Sequence, residues 1–279
     1  MTRTPAVLAA GAFSLALMLT ACGDDTPDEE TTVSAEEQEE EGTSTLQDLL
    51  AGLVDNTTEI TNYTLDIEMT MPDPEMGDIE MGLLYEVMDA PEAMQATMSM
   101  PFLGEMMFEL MSMGGELPEG VTAEDLGTHV VIIQEGSDPL VADQHGLQGD
   151  APWIRGDASD MEQNPTDTFD LESLPDLVAA FAEIDQIEES GTEEVNGVET
   201  TVIQGSMTEE DIDALDAEHK LAVLELIGSV SGTLDVSLWV ADDGFPMRID
   251  FSDDEAAITM EFSEIGTTSF EMPSDDQIG

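Results

Sequence analysis

Positive charge is nearly absent from this sequence. Its 279 residues carry 4 Lys+Arg against 65 Asp+Glu, a formal net charge of -61. Binding a phosphate backbone requires lysines and arginines that displace counterions, so nucleic acid is excluded as a partner. The same deficit makes an anionic membrane surface repel the body of the protein. Cysteine occurs once, which leaves no internal disulfide and no multi-cysteine metal site. Catalytic signatures are also missing: there is no G-x-S-x-G elbow, no Gly-rich phosphate loop and no H-E-x-x-H. No cofactor is implied. Yet 41% of the residues are hydrophobic and 25% charged, a composition that can fold.

Arg3 is the only charge before Asp24, and Ala6 to Thr20 is an apolar run. It is shorter than the roughly 20 residues that span a bilayer, and it has the length and flanks of a secretory h-region. It ends in Leu19-Thr20-Ala21-Cys22. This resembles the lipobox of bacterial lipoproteins: an aliphatic residue, two small residues, then Cys. The resemblance implies a signal peptide over 1–21 and acylation of Cys22. That places the protein on the outer face of the cell membrane, held by N-terminal acyl chains. One fatty chain holds only reversibly, and two or more anchor stably.

Residues 22–42 comprise the acylated Cys and a tether. Gly23 to Gly42 holds ten acidic residues and no basic ones. Such a segment cannot bury enough surface to offset its chain entropy, and is expected to be disordered. At full extension it reaches ~70 Å. Acidic residues continue through the whole body, which reads as a solvated surface. Self-repulsion on this scale calls for screening by salt, whose Debye length falls from ~10 Å at 0.1 M to ~3 Å at 1 M. No stretch matches a calcium loop.

Residues 43–279 read as one domain. Leu46, Leu49, Leu50, Leu53 and Val54 have helical spacing. Tyr63, Leu65, Ile67, Met69 and Met71 then alternate with polar residues, as in a half-buried strand. Strands through Ile79–Val87 and Met94–Met100 complete a meander. Phe102 to Met113 fits helix and strand equally. Residues 114–128 read as a loop, His129–Ile133 as a strand, and 136–168 as mostly irregular around Trp153-Ile154. Leu171–Ile184 has helical spacing, Val195-Asn196-Gly197-Val198 is a hairpin turn, and Thr208 with Asp211 caps a helix to about Ile227. Strands through Leu234–Val240, Met247–Phe251 and Ile258–Phe262 follow. Strands dominate without strand–helix alternation, which indicates an antiparallel α+β fold.

The order of these pieces resembles the actinobacterial lipoproteins of the LppX/LprG type, which have the LolA-like fold. The matching stretches are Asn62–Ile67, Pro152-Trp153-Ile154 before the Leu174–Ile184 helix, Gly191–Thr201, Val236–Trp239, Asp242–Arg248 and Phe262–Gly266 with Pro273. The resemblance implies a curved antiparallel half-barrel with a few helices on its concave face. It also implies an apolar cavity for the acyl chains of a lipid or glycolipid. The residues expected to face such a ligand are Leu65, Ile67, Met69, Met81, Leu83, Tyr85, Met98, Met100, Leu238, Ile249 and Met260.

Twelve of the 19 Met lie between Met69 and Met113. Methionine suits surfaces that accept varied apolar shapes. Core packing, a lipid wall and soft-metal binding are all open readings. The last rests on the pairs Met69/Met71, Met98/Met100 and Met111/Met113, since thioethers prefer Cu(I). His129, His145 and His219 lack ligand spacing and read as incidental. Arg248 reads as an ion-pair partner of acidic neighbours. The sequence thus points to a non-enzymatic lipoprotein that binds or carries lipid. The alternatives are an accessory envelope lipoprotein with a protein partner and a Met-rich Cu(I)-binding lipoprotein.

Overall fold

The computed structural model describes residues 60–73, 77–115, 117–143, 145–147, 149–156, 180–181, 187–227 and 230–279. Cys22, the acidic tether and the helix expected over Leu46–Val54 lie outside them. So does most of the helix expected over Leu171–Ile184, of which Ala180 and Phe181 are described as helical.

Period-2 alternation produces the main elements. The strands are β1 (Tyr63–Asp73), β2 (Gly77–Asp89), β3 (Glu92–Ser99), β4 (Thr128–Gln134), β5 (Leu140–Ala142), β6 (Trp153–Arg155), β7 (Glu188–Val195), β8 (Val198–Thr208), β9 (Thr233–Ala241), β10 (Pro246–Ser252) and β11 (Ala257–Ser263). They form one antiparallel sheet in the order β6-β5-β4-β3-β2-β1-β11-β10-β9-β8-β7. Pairing of β1 with β11 joins the two halves of the chain, and β6 and β7 form the two edges, so the sheet is open. This is the α+β, largely antiparallel architecture expected from the sequence.

Register explains which face is buried. Ile203 lies opposite Leu238, Leu238 opposite Ile249, and Ile249 opposite Met260. The row continues through Ile67, Leu83 and Met98 to His129. A parallel row runs Phe262, Leu65, Tyr85, Ala96. Because side chains alternate, both rows stand on one face. Leu65, Tyr85, Ile249, Met260 and Phe262 are all buried there. Phe181 covers Phe251 at a ring-centroid distance of 5.6 Å, and Phe245 meets Phe262 edge-on at 5.1 Å.

The other face is polar over β10 and β11, and buries a second apolar patch of Met88, Ala93, Ile132 and Leu140 toward β4 and β5. Arg248 forks onto Asp250 at 2.8 and 2.7 Å and lies 3.9 Å from Glu261, the ion-pair role expected of it. Its guanidinium stacks 4.8 Å from the Trp239 ring, whose Nε1 donates to Glu193 at 2.8 Å.

Besides the helical Ala180 and Phe181, the described residues include the helices α1 (Pro101–Gly114), α2 (Ala123–Gly127), α3 (Glu209–Ala214) and α4 (Ala217–Ile227). Three expectations change here. The ambiguous Phe102–Met113 segment is helical, started by a proline at its first position and stopped by Gly115 in the left-handed region (φ 70). The expected loop at 114–128 contains α2, opened by a capping box of Thr122 and Asp125. The single helix expected from Thr208 to Ile227 is two helices. Leu215 leaves helical geometry, and Asp216 then accepts from His219 N at 3.2 Å, starting α4 as an N-cap. The hairpin turn is as expected, with Asn196 and Gly197 both at positive φ (51 and 81).

Beyond β11 the chain is tied back to β1. Asn62 Nδ2 donates to Thr268 O at 3.0 Å, Thr268 N donates to Asn62 Oδ1 at 2.8 Å, and both residues are buried. The segment then reaches the far edge, where Ile278 bridges Trp153 and Gly279 N donates to Trp153 O at 2.8 Å.

Candidate functional site

Among the described residues, two spaces stand out. Beside Phe181, Ile187, Ile203, Val236 and Leu238 there is a void of about 10 Å³, the room of a single water. A cavity of about 410 Å³ lies instead at the β4 end of the sheet, within the roughly 300–1,000 Å³ of small-molecule sites. Its walls are Met107 and Met111 from α1, Leu126 from α2, Val130 and His129 from β4, and Asp125, Asp143, His145 and Leu147 at its polar side.

Each wall is held for an identifiable reason. α1 and α2 cross where two glycines meet. Met100 N donates to Gly127 O at 2.8 Å and Gly104 N to Met100 O at 3.1 Å, so backbone lies on backbone. A Cβ on Gly104 would stand 2.1 Å from Ala123 O, and one on Gly127 would stand 2.7 Å from Met100 O. This close crossing turns Met107 and Met111, four residues apart and on one helix face, toward β4.

The polar side is equally fixed. Thr122 N donates to Asp125 Oδ2 at 2.8 Å, Asp125 N donates back to Thr122 Oγ1 at 3.2 Å, and His145 Nε2 lies 3.2 Å from Asp125 Oδ1. Hydrogen bonds from the Thr122 hydroxyl and backbone, with His145 beside them, hold the Asp125 carboxyl below the usual carboxylate range. Asp143 is buried and accepts from Leu147 N at 2.7 Å and Gly149 N at 2.6 Å. The cavity therefore has an apolar wall of thioethers and aliphatics facing carboxylate and imidazole groups, the chemistry an amphiphile requires.

The structure gathers most of the sequence candidates in the sheet core, and none of them lines this cavity. Leu65, Ile67, Leu83, Tyr85, Leu238, Ile249 and Met260 belong to the buried core, with Met69 and Met98 packed against it. Met81 is half-buried opposite Met69. Met100 sits at the start of α1, at the glycine crossing. Met98 lies opposite His129 across β3 and β4, whereas Val130 of the cavity wall stands on the other face of the sheet. His129 and His145, read from the sequence as incidental, both line the cavity. The Thr122-x-x-Asp125 pattern that places Asp125 is the same signal recognised at Thr208 and Asp211, and it was legible. Among the described residues, no group of three or more His, Cys, Asp or Glu is placed to hold a metal ion. Nor is any described helix long and apolar enough to cross a membrane.

No family model and no curated protein matches the chain. Solved structures do. The lipoprotein LppX from Mycobacterium tuberculosis is 16% identical, covers 80% of this chain and 98% of its own, and has a TM-score of 0.44. LprF from Mycobacterium bovis is 12% identical, over 84% of this chain and 98% of its own, with a TM-score of 0.47. A putative outer membrane lipoprotein-sorting protein domain from Vibrio parahaemolyticus is 10% identical, over 85% and 96%, with a TM-score of 0.21. The likeness to LppX and LprF is one of fold, and these are the lipoproteins whose type the sequence resembles.

Proposed function

We propose that this protein is an envelope lipoprotein, anchored through acylated Cys22 on the outer face of the cell membrane, that binds or carries a lipid or glycolipid. The observation that carries the reading is the amphipathic 410 Å³ cavity. Acyl chain packs on Met107, Met111, Leu126 and Val130, and the polar headgroup end meets Asp125, Asp143, His129 and His145. Methionines adapt to chains of varied shape. None of the candidates read from sequence lines this space; most of them build the sheet core. No bond is made or broken in this role, so no reacting group is required.

Native mass spectrometry of the purified acylated protein, with and without added phospholipid, tests the proposal. The expected result is an exchangeable lipid in addition to the covalent anchor. Val130→Phe, which fills the cavity, should abolish that adduct and leave the circular dichroism spectrum unchanged. Absence of any exchangeable lipid in the parent protein overturns the carrier reading. The void of only about 10 Å³ beside Phe181 favours a second reading, an accessory lipoprotein that holds a protein partner and no cargo. Cross-linking to one envelope protein together with an empty cavity would establish it.

A further inference from the structure

The helix that walls the cavity has a second apolar face. Phe102, Met106, Leu110 and Met113 are exposed by 42, 51, 66 and 80%. Their spacing puts all four on one side of α1, about 120° around the helix from the side that presents Met107 and Met111 to the cavity. Exposure rises steadily along the helix, so its Met113 end stands furthest into solvent. Four large apolar side chains in one stripe on a helix ~21 Å long make a contiguous patch, which marks an interaction surface; singly scattered exposed residues would not. The only charged residues of α1 are Glu105 and Glu109, and both run along one border of the stripe. With no cation on the helix, headgroup phosphates cannot be what draws it.

We propose that α1 is a membrane-facing lid. Phe102, Met106, Leu110 and Met113 enter the interface of the bilayer that holds Cys22, and lipid passes between leaflet and cavity alongside Met107 and Met111. The inference rests on the anchored-carrier reading above and names the surface through which the cavity is loaded. Three observations select a bilayer as the occupant. The stripe and the cavity wall are two sides of one helix, so contact with lipid outside is continuous with a site for lipid inside. The tether expected over residues 23–42 would reach ~70 Å at full extension, so the acyl anchor keeps the domain within reach of the surface and still lets a 14-residue helix turn onto it. A second copy docked through the same face would bring its own Glu105 and Glu109 against those of the first, with no cation on either helix, which opposes self-association through this face.

The single native cysteine makes a direct test possible, because acylation blocks Cys22 and a new cysteine becomes the only labelling position. Leu110→Cys and Met113→Cys are each labelled with bimane in the full acylated protein. Both are reconstituted into phosphatidylcholine vesicles with brominated or ordinary acyl chains. Val198→Cys at the start of β8, a residue exposed by 37%, serves as the control. The expected result is that bimane at 110 and 113 loses most of its emission in brominated vesicles, while the label at 198 keeps its own. Labels at 110 and 113 that brominated chains leave unquenched overturn the proposal. So does shielding of those labels by a dimer or a bound protein without bromine quenching. Quenching retained while the parent protein shows no exchangeable lipid would overturn the cargo alone. Exchangeable lipid without quenching would overturn the lid alone.

Discussion

Gly104→Ala asks whether α1 is held against α2 by backbone contact. Alanine is the better helix former by about 1 kcal/mol, so propensity alone predicts a more stable protein. Packing predicts the opposite. The added methyl would lie 2.1 Å from Ala123 O, 2.8 Å from Gly127 N and 2.9 Å from Gly127 Cα, where ordinary contacts need about 3.5 Å or more. All three obstacles are backbone, so no rotamer change relieves them, and the helices must separate. Overpacking of this kind costs about 3 kcal/mol, which leaves a net loss of about 2 kcal/mol after the propensity gain. Gly82→Ala on β2 is the matched control. Its Cβ would meet Ser99 Cβ at 3.7 Å, an ordinary contact, and removing a strand-interior glycine should gain about 0.5–1 kcal/mol. Urea unfolding followed by circular dichroism reads both, with the slope m unchanged for each. Because α1 carries Met107 and Met111, Gly104→Ala should also weaken lipid uptake, and Gly82→Ala should not. A Gly104→Ala protein as stable as the parent would refute the close crossing and with it the account of how the cavity wall is positioned.

Three further outcomes follow from the charges and the polar clamps. Asp66 is pushed above the usual carboxylate range by burial and by Glu68 and Glu261, so its ionisation opposes folding near neutral pH, and that penalty lifts as pH falls toward its folded value. Asp125 and Asp211 are held below that range by the hydroxyl and backbone of Thr122 and Thr208. Burial raises Asp253, but hydrogen bonds from Ser231, Glu255 and Ala256 N–H groups outweigh it and leave this carboxyl low. The stability these three contribute is present above about pH 4 and is lost as pH falls through their folded values. Calorimetry should therefore show Tm rising as pH falls from 7 toward the ordinary carboxylate range and falling again below it, and a decline starting directly from pH 7 would contradict the assignment. Raising salt from 0.1 to 1 M should raise Tm at pH 7, because the Debye length shrinks from ~10 to ~3 Å; a flat response would mean that repulsion is already relieved. Asn62→Ala removes both bonds to Thr268, leaving Thr268 O without its Asn62 donor while Thr268 N keeps Glu264 O at 3.0 Å, and should cost about 1–3 kcal/mol in urea unfolding; an unchanged midpoint would mean that the tie contributes nothing.

The sheet was legible because its signal is local: Tyr63 to Met71 and Ala257 to Ser263 alternate residue by residue, and alternation alone assigns a face. Pairing of β1 with β11 closes nearly the whole domain and leaves no such local mark, so strand order had to come from structure. Helices were less legible for distinct reasons. Phe102–Met113 is apolar on both sides, so helical and strand periods fit it equally, and Pro101 and Gly115 at its ends were the better guides. The break at Leu215-Asp216 hides in a continuous apolar pattern and depends on one aspartate acting as a cap. The cavity was the least legible feature. Its walls come from α1, α2, β4 and the loop after β5, and no periodicity relates Met107 to His145. What creates it is an absence, two glycines without a Cβ at positions 104 and 127, and the sequence does not show that they meet. The methionine excess was read from composition as core, lipid wall or metal site. The structure divides it by position: Met260 is in the core, Met107 and Met111 are on the cavity, and Met106 and Met113 face outward. One helix thus carries both the inward and the outward group, which is why α1 is the element whose removal or displacement should separate binding from folding.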